Sequence, residues 1–194
     1  LLKGRRSFLN YSAGIYKILV ETTGSASITL TEDNIIGAIN ITSLGKNTRY
    51  NRVIVNFINP DKNFQSDEAQ FPPVNETGLA SDDQFANMKT ADGGIVLEKK
   101  INFDTITNPF QAQEMAEVVL RKSRAILHVG LVADATAMDL TVGDIVNITH
   151  ATPAFSAKPF RVVSATLHSH QTVALKLVEH QDSFYTFGTQ QNVA

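Results

Sequence analysis

Short β-favouring runs separated by turn residues are the feature that most limits how this chain can fold. In the first third of the sequence, the runs are Ile15–Glu21, Ser27–Thr31, Ala38–Ser43 and Arg52–Ile58. The turn residues that bound them are Gly24-Ser25, Gly37, Gly45 and Asn59-Pro60. Runs of this length bounded by Gly, Asn and Pro are typical of strands. They predict a first β-rich lobe over residues 1–66, with one short helical turn capped by Thr31.

The segment from Arg49 to Pro73 begins as a strand and then becomes polar. Pro60 has no amide hydrogen and favours extended geometry at Asn59, so the strand is predicted to stop there. The rest is interpreted as a connection that Phe64 and Phe71 hold against a surface. Its charged residues are predicted to be solvated; they are Asp61, Lys62 and Asp67.

An acidic, turn-rich stretch follows, and it predicts a linker or loop over residues 67–94. It includes Asp82, Asp83 and Asp92, but these lack the alternating acidic spacing of a calcium-binding loop. No metal site is predicted there.

One amphipathic helix is predicted after this stretch. Asn108 stands at the N-cap, Pro109 at the first helical position and Gln111 at the third, the arrangement of a capping box. One stripe at helical spacing is predicted to be core: Ala112, Met115, Ala116, Val119, Leu120 and Ser123. The other face is predicted to meet water; its residues are Gln113, Glu114, Glu117, Arg121 and Arg124. Glu117 and Arg121 on this face are predicted to form an ion pair.

The remaining runs predict a second lobe over residues 95–194, with the helix packed on an antiparallel barrel. The runs start at Ile95, Ile126, Asp144, Lys158 and Thr172. A reversal is predicted at Gly143-Asp144. In the last run, Val173, Leu175 and Leu177 are expected to face inward. The fold class is therefore α+β, mainly antiparallel β, with small barrel-like β lobes and one amphipathic helix.

Composition and charge exclude several kinds of function. The formal charge is −2, which gives no reason to expect a specific nucleic-acid partner, and there is no cysteine to form disulfides or ligate zinc. Four arginines are interpreted as a solvated face: Arg5, Arg6, Arg49 and Arg52. No apolar run is long enough to predict stable membrane insertion. Because the chain begins at Leu1, it is expected to be a piece of something longer.

The sequence identifies no catalytic, cofactor-binding or metal-binding residues. His168 and His170 would share one face of a strand near a turn, but no third ligand is apparent, so an exposed hairpin tip is predicted. The other histidines, His128, His150 and His180, form no recognisable motif. No catalytic motif is present either, so an enzyme is not expected.

The order of several segments resembles the hub region of bacteriophage tail-tip proteins, the group of the tip attachment protein J and, more distantly, baseplate hub proteins. The resemblance covers roughly residues 15 to 187. It is carried by RYNRVIVNFINPDKNFQ, the acidic stretch, NPFQAQEMAEVVLRKSR, LTVGDIVNIT, PFRVVSATL and EHQDSFY.

The resemblance implies a structural hub component of a tail tip, without catalysis, located in the virion. It implies a homotrimeric ring at the distal end of the tail tube, with tail tube, tape measure and fibre proteins as partners, and a place in host attachment. An alternative is a monomeric receptor- or glycan-binding module of a phage tail, and a tail-associated hydrolase is a third. The expected ring contacts are the edges of Phe160–Thr166 and Val173–Glu179, or of Arg52–Ile58.

Overall fold

The computed structural model describes residues 6–12, 14–43, 45, 48–73, 84–125 and 127–187. Over these residues the strands, β1 to β11, are Ser7–Ser12, Ile15–Val20, Ile28–Leu30, Asn40–Ser43, Arg52–Asn59, Gln65–Phe71, Glu98–Asn102, Leu127–Ala133, Ile145–His150, Phe155–His168 and Thr172–Glu179. The helices α1 and α2 are Gln84–Ala91 and Pro109–Arg124. The predicted α+β class, mainly antiparallel, is confirmed.

The chain forms two compact units. The first, here called the helix–sheet unit, contains Lys46–Arg124 and a late segment that begins at Phe184. The second, the large-sheet unit, combines Ser7–Gly45 with Ala125–Ser183. This division corrects the predicted lobes at 1–66 and 95–194 and the linker at 67–94. The reason is that β3 and β4 pair with late strands, which no local sequence pattern reveals.

The large-sheet unit has a six-stranded sheet in the order β3-β9-β10-β11-β8-β4 and the separate hairpin β1–β2. Pairing is antiparallel except between β3 and β9. Val173, Leu175 and Leu177 are buried, as predicted. Within the described residues β3 and β4 are not paired with each other, so the sheet is open and not a closed barrel.

The predicted reversal at Gly143-Asp144 is confirmed. Gly143 has a φ of 103°, which glycine adopts without strain. A carboxylate oxygen of Asp144 accepts hydrogen bonds from the Thr141 amide at 2.7 Å and the Thr141 hydroxyl at 3.0 Å. These bonds hold the turn that leads into β9.

The helix–sheet unit has α2 packed on a three-stranded sheet in the order β6-β5-β7. Alternate residues of β5, namely Val53, Val55 and Phe57, are buried in one cluster with the α2 stripe. Ala112 and Ala116, both fully buried, allow the close approach. The helix therefore packs on an early hairpin and not on a late barrel, which corrects that prediction.

The predicted connection after Asn59 is a strand, β6, which pairs antiparallel with β5. Only Ala69 is fully buried along it, and the other residues are exposed or half-buried, which fits the polar composition of an edge strand. Phe71 packs at the core, whereas Phe64 is 70% exposed and holds nothing in place. The predicted linker also contains α1, while Asp82 and Asp83 lie outside the described residues.

The helix α2 starts where it was predicted to start, but part of the face that was predicted to be exposed is buried. The Asn108 side chain accepts a hydrogen bond from the Phe110 amide at 2.9 Å, with Pro109 at the first position. Gln113 and Glu117, predicted to meet water, are 5% and 6% exposed. The predicted ion pair between Glu117 and Arg121 is present.

Burial raises the pKa of Glu117 because removal from water disfavours the carboxylate, and this outweighs the lowering by Arg121. The ionised form thus costs stability, so the wild type should lose stability as the pH rises from 4.5 through the raised pKa. We expect Glu117→Gln to be the more stable protein at neutral pH, with the difference shrinking below pH 4.5. Denaturant titrations across pH test this; a variant less stable than wild type at neutral pH would show that the Arg121 pair dominates.

Candidate assembly edges

A cluster around Asp92 joins three elements of the helix–sheet unit. Arg124 donates two hydrogen bonds to the Asp92 carboxylate, at 2.9 and 3.3 Å, from the last turn of α2. Fully buried Asn51 donates to the same carboxylate at 3.2 Å, and Arg49 lies 3.9 Å away. The Arg124 hydrogen bond is the main reason that the pKa of Asp92 is lowered. These contacts are structural.

The arginines predicted to form a solvated face have partners on the same unit. Arg49 belongs to the Asp92 cluster. Arg52 lies 3.8 Å from Glu98 and stacks 4.0 Å from the centre of the Phe85 ring. Arg6 lies over the Phe187 ring, and Arg5 is outside the described residues. Arg6, Arg49 and Arg52 are therefore each held by contacts with nearby side chains.

The histidines are dispersed. His168 ends β10 and His170 lies in the exposed turn before β11 with a φ of 67°, so the two do not share a strand face. The predicted exposed hairpin tip is confirmed. His180 is buried, with its Nε2 3.2 Å from an Asp182 oxygen. Among the described residues, no three His, Asp or Glu side chains are grouped to hold a metal ion.

An open depression in the large-sheet unit is lined by Thr31, Glu32, His150 and Phe155, among others. A Glu32 oxygen lies 3.2 Å from His150 Nδ1 and accepts a 2.6 Å hydrogen bond from the Ala151 amide. The carboxylate thereby ties the short 3-10 turn at residues 32–34 to the β9–β10 connection. The contact between Glu32 and His150 is therefore explained by its role in connecting these two segments.

The strands predicted as edges are mostly central. β5 lies between β6 and β7, and β11 lies between β10 and β8. The pairing of β10 with β9 ends at Arg161, whereas its pairing with β11 extends to His168. Beyond Val162, one side of β10 therefore has no strand partner within the described residues.

The edges of the two units differ in charge. In the helix–sheet unit, edge strands β6 and β7 carry charges: Asp67, Glu68, Glu98, Lys99 and Lys100. Charges on an edge oppose pairing with another strand. In the large-sheet unit, β3, β4 and the open part of β10 (residues 163–168) contain no Lys, Arg, Asp or Glu. We call these three segments the uncharged edges.

The uncharged edges also expose apolar side chains. Leu167 and Val163 of β10 are 63% and 52% exposed, and Ile41 of β4 is 36% exposed. A strand edge that no other strand covers, beside apolar side chains, forms a surface suited to strand addition. Sequence periodicity did not reveal these edges because pairing order depends on contacts between distant strands.

None of the helices in the described ranges is both long and apolar enough to cross a membrane. The fold is α+β, with two compact units and uncharged edges on the larger sheet. The sequence matches the model of the Phage-tail_3 family, described as "Putative phage tail protein", over residues 17–164. Since the match covers more than half of the chain, the protein belongs to this family of phage tail proteins. Membership confirms the predicted location in a phage tail.

Two solved structures have similar folds. A chain of the native gene transfer agent (GTA) virion aligns with a TM-score of 0.59 and 13% identity, over 84% of this chain and 34% of that one. The 43 kDa tail protein of prophage MuSo2 from Shewanella oneidensis aligns with a TM-score of 0.54 and 11% identity, over 91% and 48%. This chain thus spans about a third and about half of those proteins. No curated protein sequence matches it.

Proposed function

We propose that this chain is a structural hub component of a bacteriophage or prophage tail tip. Its copies form a homotrimeric ring at the distal end of the tail tube, and the chain has no catalytic role. The proposal rests on one observation about this member of a phage tail family. The edges of its large-sheet unit are uncharged and open, whereas the edges of its helix–sheet unit carry charges.

A ring requires each copy to present one surface to one neighbour and a different surface to the other. The large-sheet unit has edges of different kinds for this purpose, the short β4 and the open end of β10. In the proposed tail tip, the ring contacts tail tube and tape measure proteins, and fibre proteins attached to it serve host attachment. The similarity to a chain of an assembled virion supports this setting.

Reconstruction of particles made by the phage or prophage that encodes the chain tests the proposal. Threefold density at the distal end of the tail tube, fitted by both compact units, is the expected result. Density for this chain at another position in the particle, or without cyclic symmetry, would contradict the hub assignment.

Leu167→Lys places a charge on the open part of β10. We expect completed tails to fall by at least about tenfold, equivalent to roughly 1.4 kcal/mol of lost association. Leu167→Met, which keeps the site apolar, is the matched control and should assemble normally. Particle counts by electron microscopy and circular dichroism of the purified variants provide the measurement. Normal assembly of a folded Leu167→Lys variant would remove β10 from the proposed interface.

The alternative function is a monomeric receptor- or glycan-binding module. It is favoured by Tyr11 and Tyr16, whose rings lie 4.7 Å apart and which are 62% and 69% exposed. Exposed tyrosines combine an apolar ring with a hydroxyl and suit such contacts. A monomeric chain that binds cell-envelope glycans, and loses that binding in Tyr16→Ala, would favour the module over the hub.

A further inference from the structure

The hairpin β1–β2 has an apolar face that lies in water. In its antiparallel register Leu9 is opposite Ile18, Tyr11 is opposite Tyr16, and Val20 is opposite Ser7. These pairs share one face because side chains alternate along a strand. We call Leu9, Tyr11, Tyr16, Ile18 and Val20 the hairpin face; they are between 52% and 69% exposed.

Part of the opposite face of the hairpin, at Phe8 and Leu19, contacts the large-sheet unit, whereas Ile15 on that face is 59% exposed. A Cβ atom added to Gly143 would lie 3.0 Å from the Phe8 ring and 3.1 Å from a Leu19 methyl group, so both side chains contact this glycine closely. Lys17, the only charged residue of the two strands, is on the same side of the register as Phe8 and Leu19. The hairpin therefore has contacts at Phe8 and Leu19 on one side and presents an uncharged face on the other.

The hairpin face is large for a surface that stays in water. Two tyrosines and three aliphatic side chains at these exposures amount to on the order of 500 Å². The largest apolar patch of a typical monomer is about 300–600 Å², and patches at the upper end commonly serve interaction. The usual pattern of a surface hairpin, apolar inward and polar outward, would place polar residues at these positions.

We propose that the hairpin face packs against the hairpins of neighbouring copies of this chain. Two such faces bury about 1,000 Å² together, which reaches the lower limit of a specific interface. Because the face has no charge, two copies meet without like-charge repulsion. A nucleic acid or a strongly charged protein would find no counter-charge on it.

The open edges of β1 and β2 also favour a second copy of this chain as the partner. Within the described residues, β1 and β2 pair only with each other, so each has one open edge. Pairing β1 of one copy with β2 of the next satisfies both edges and is heterologous, as cyclic closure requires. In a closed ring of such pairs the shared sheet turns all the hairpin faces inward, where they pack against one another. This inference rests on the proposed ring and names a further contact within it, in addition to the β4 and β10 edges.

Light scattering after size exclusion, over a concentration series, tests the inference on the whole chain. The wild type should exceed the 21.2 kDa of one chain, and Ile18→Lys should weaken self-association by at least about tenfold. Ser66→Lys adds the same charge on an exposed position of β6 and should associate as the wild type does. A wild type that stays monomeric throughout, or an Ile18→Lys variant that associates normally, would overturn the inference.

Cross-linking tests the contact itself. The chain has no cysteine, so Ile18→Cys contains a single thiol, and facing hairpins should yield disulfide-linked dimers on mild oxidation. Ser66→Cys should self-associate as the wild type does but form no disulfide-linked dimer. Equal cross-linking of both variants would count against a specific face. If these results hold but particles have no ring at the tail tip, the proposed function fails and this contact stands; a ring whose hairpin faces meet another protein would refute only this contact.

Discussion

Replacing Phe57 by alanine should lower the free energy of unfolding by about 3–5 kcal/mol, among the largest effects expected from a single substitution in this chain. Phe57 is 1% exposed and lies in the cluster between β5 and α2. Its removal leaves a cavity that Ala112 and Ala116, already small, do not fill. Urea titration followed by circular dichroism measures the loss.

Phe64→Ala is the matched control, because it removes the same ring from the exposed turn of the hairpin β5–β6. Phe64 is 70% exposed, so its replacement should change the free energy of unfolding by less than about 0.5 kcal/mol. Equal losses for the two variants would mean that Phe64 contributes a contact of its own and that the interpretation of this hairpin is wrong.

Features encoded by neighbouring residues were predictable. The Asn108-Pro109 start of α2, the Gly143-Asp144 turn and the inward face of β11 each depend on a few consecutive positions. Capping, positive φ and alternation act over such short distances. The fold class followed from the same local patterns.

Features set by distant partners were not predictable. The strand β6 reads QSDEAQF, which has low strand propensity and is held by its pairing with β5. Gln113 and Glu117 occupy polar helical positions, yet the fold buries them. Nothing local indicates that β3 and β4 join late strands, so both the domain division and the true edges of the large sheet were missed.

The same limit applies to the assembly surfaces. The chain order of segments resembled phage tail-tip proteins, and the family match supports a phage tail protein. The contrast between charged and uncharged edges appears only when the sheet order is known. The hairpin face was hidden because IYKILVE has no polar alternation to show which side is buried. Its partner strand fixes the faces through register.

Asp92→Asn should lower the free energy of unfolding by about 3 kcal/mol, the lower end of the range for breaking a buried ion pair. The lower end applies because the Arg124 and Arg49 side chains are 26% and 30% exposed, while that of Asp92 is 4% exposed. The substitution keeps the shape of the side chain but removes the charge that both guanidinium groups face. Asn51, which is fully buried, then contacts a neutral amide.

The pH dependence separates loss of charge from loss of packing in this cluster. Because the pKa of Asp92 is lowered in the folded protein, its stabilisation is complete above the ordinary value of 3.8 and is lost as the pH falls through the lowered pKa. The difference between wild type and Asp92→Asn should therefore shrink in acid. Asp61→Asn, at an exposed position, should match the wild type throughout. A difference that persists unchanged in acid would show that packing and hydrogen bonding around residue 92, and not its charge, hold the ends of the two helices to β5.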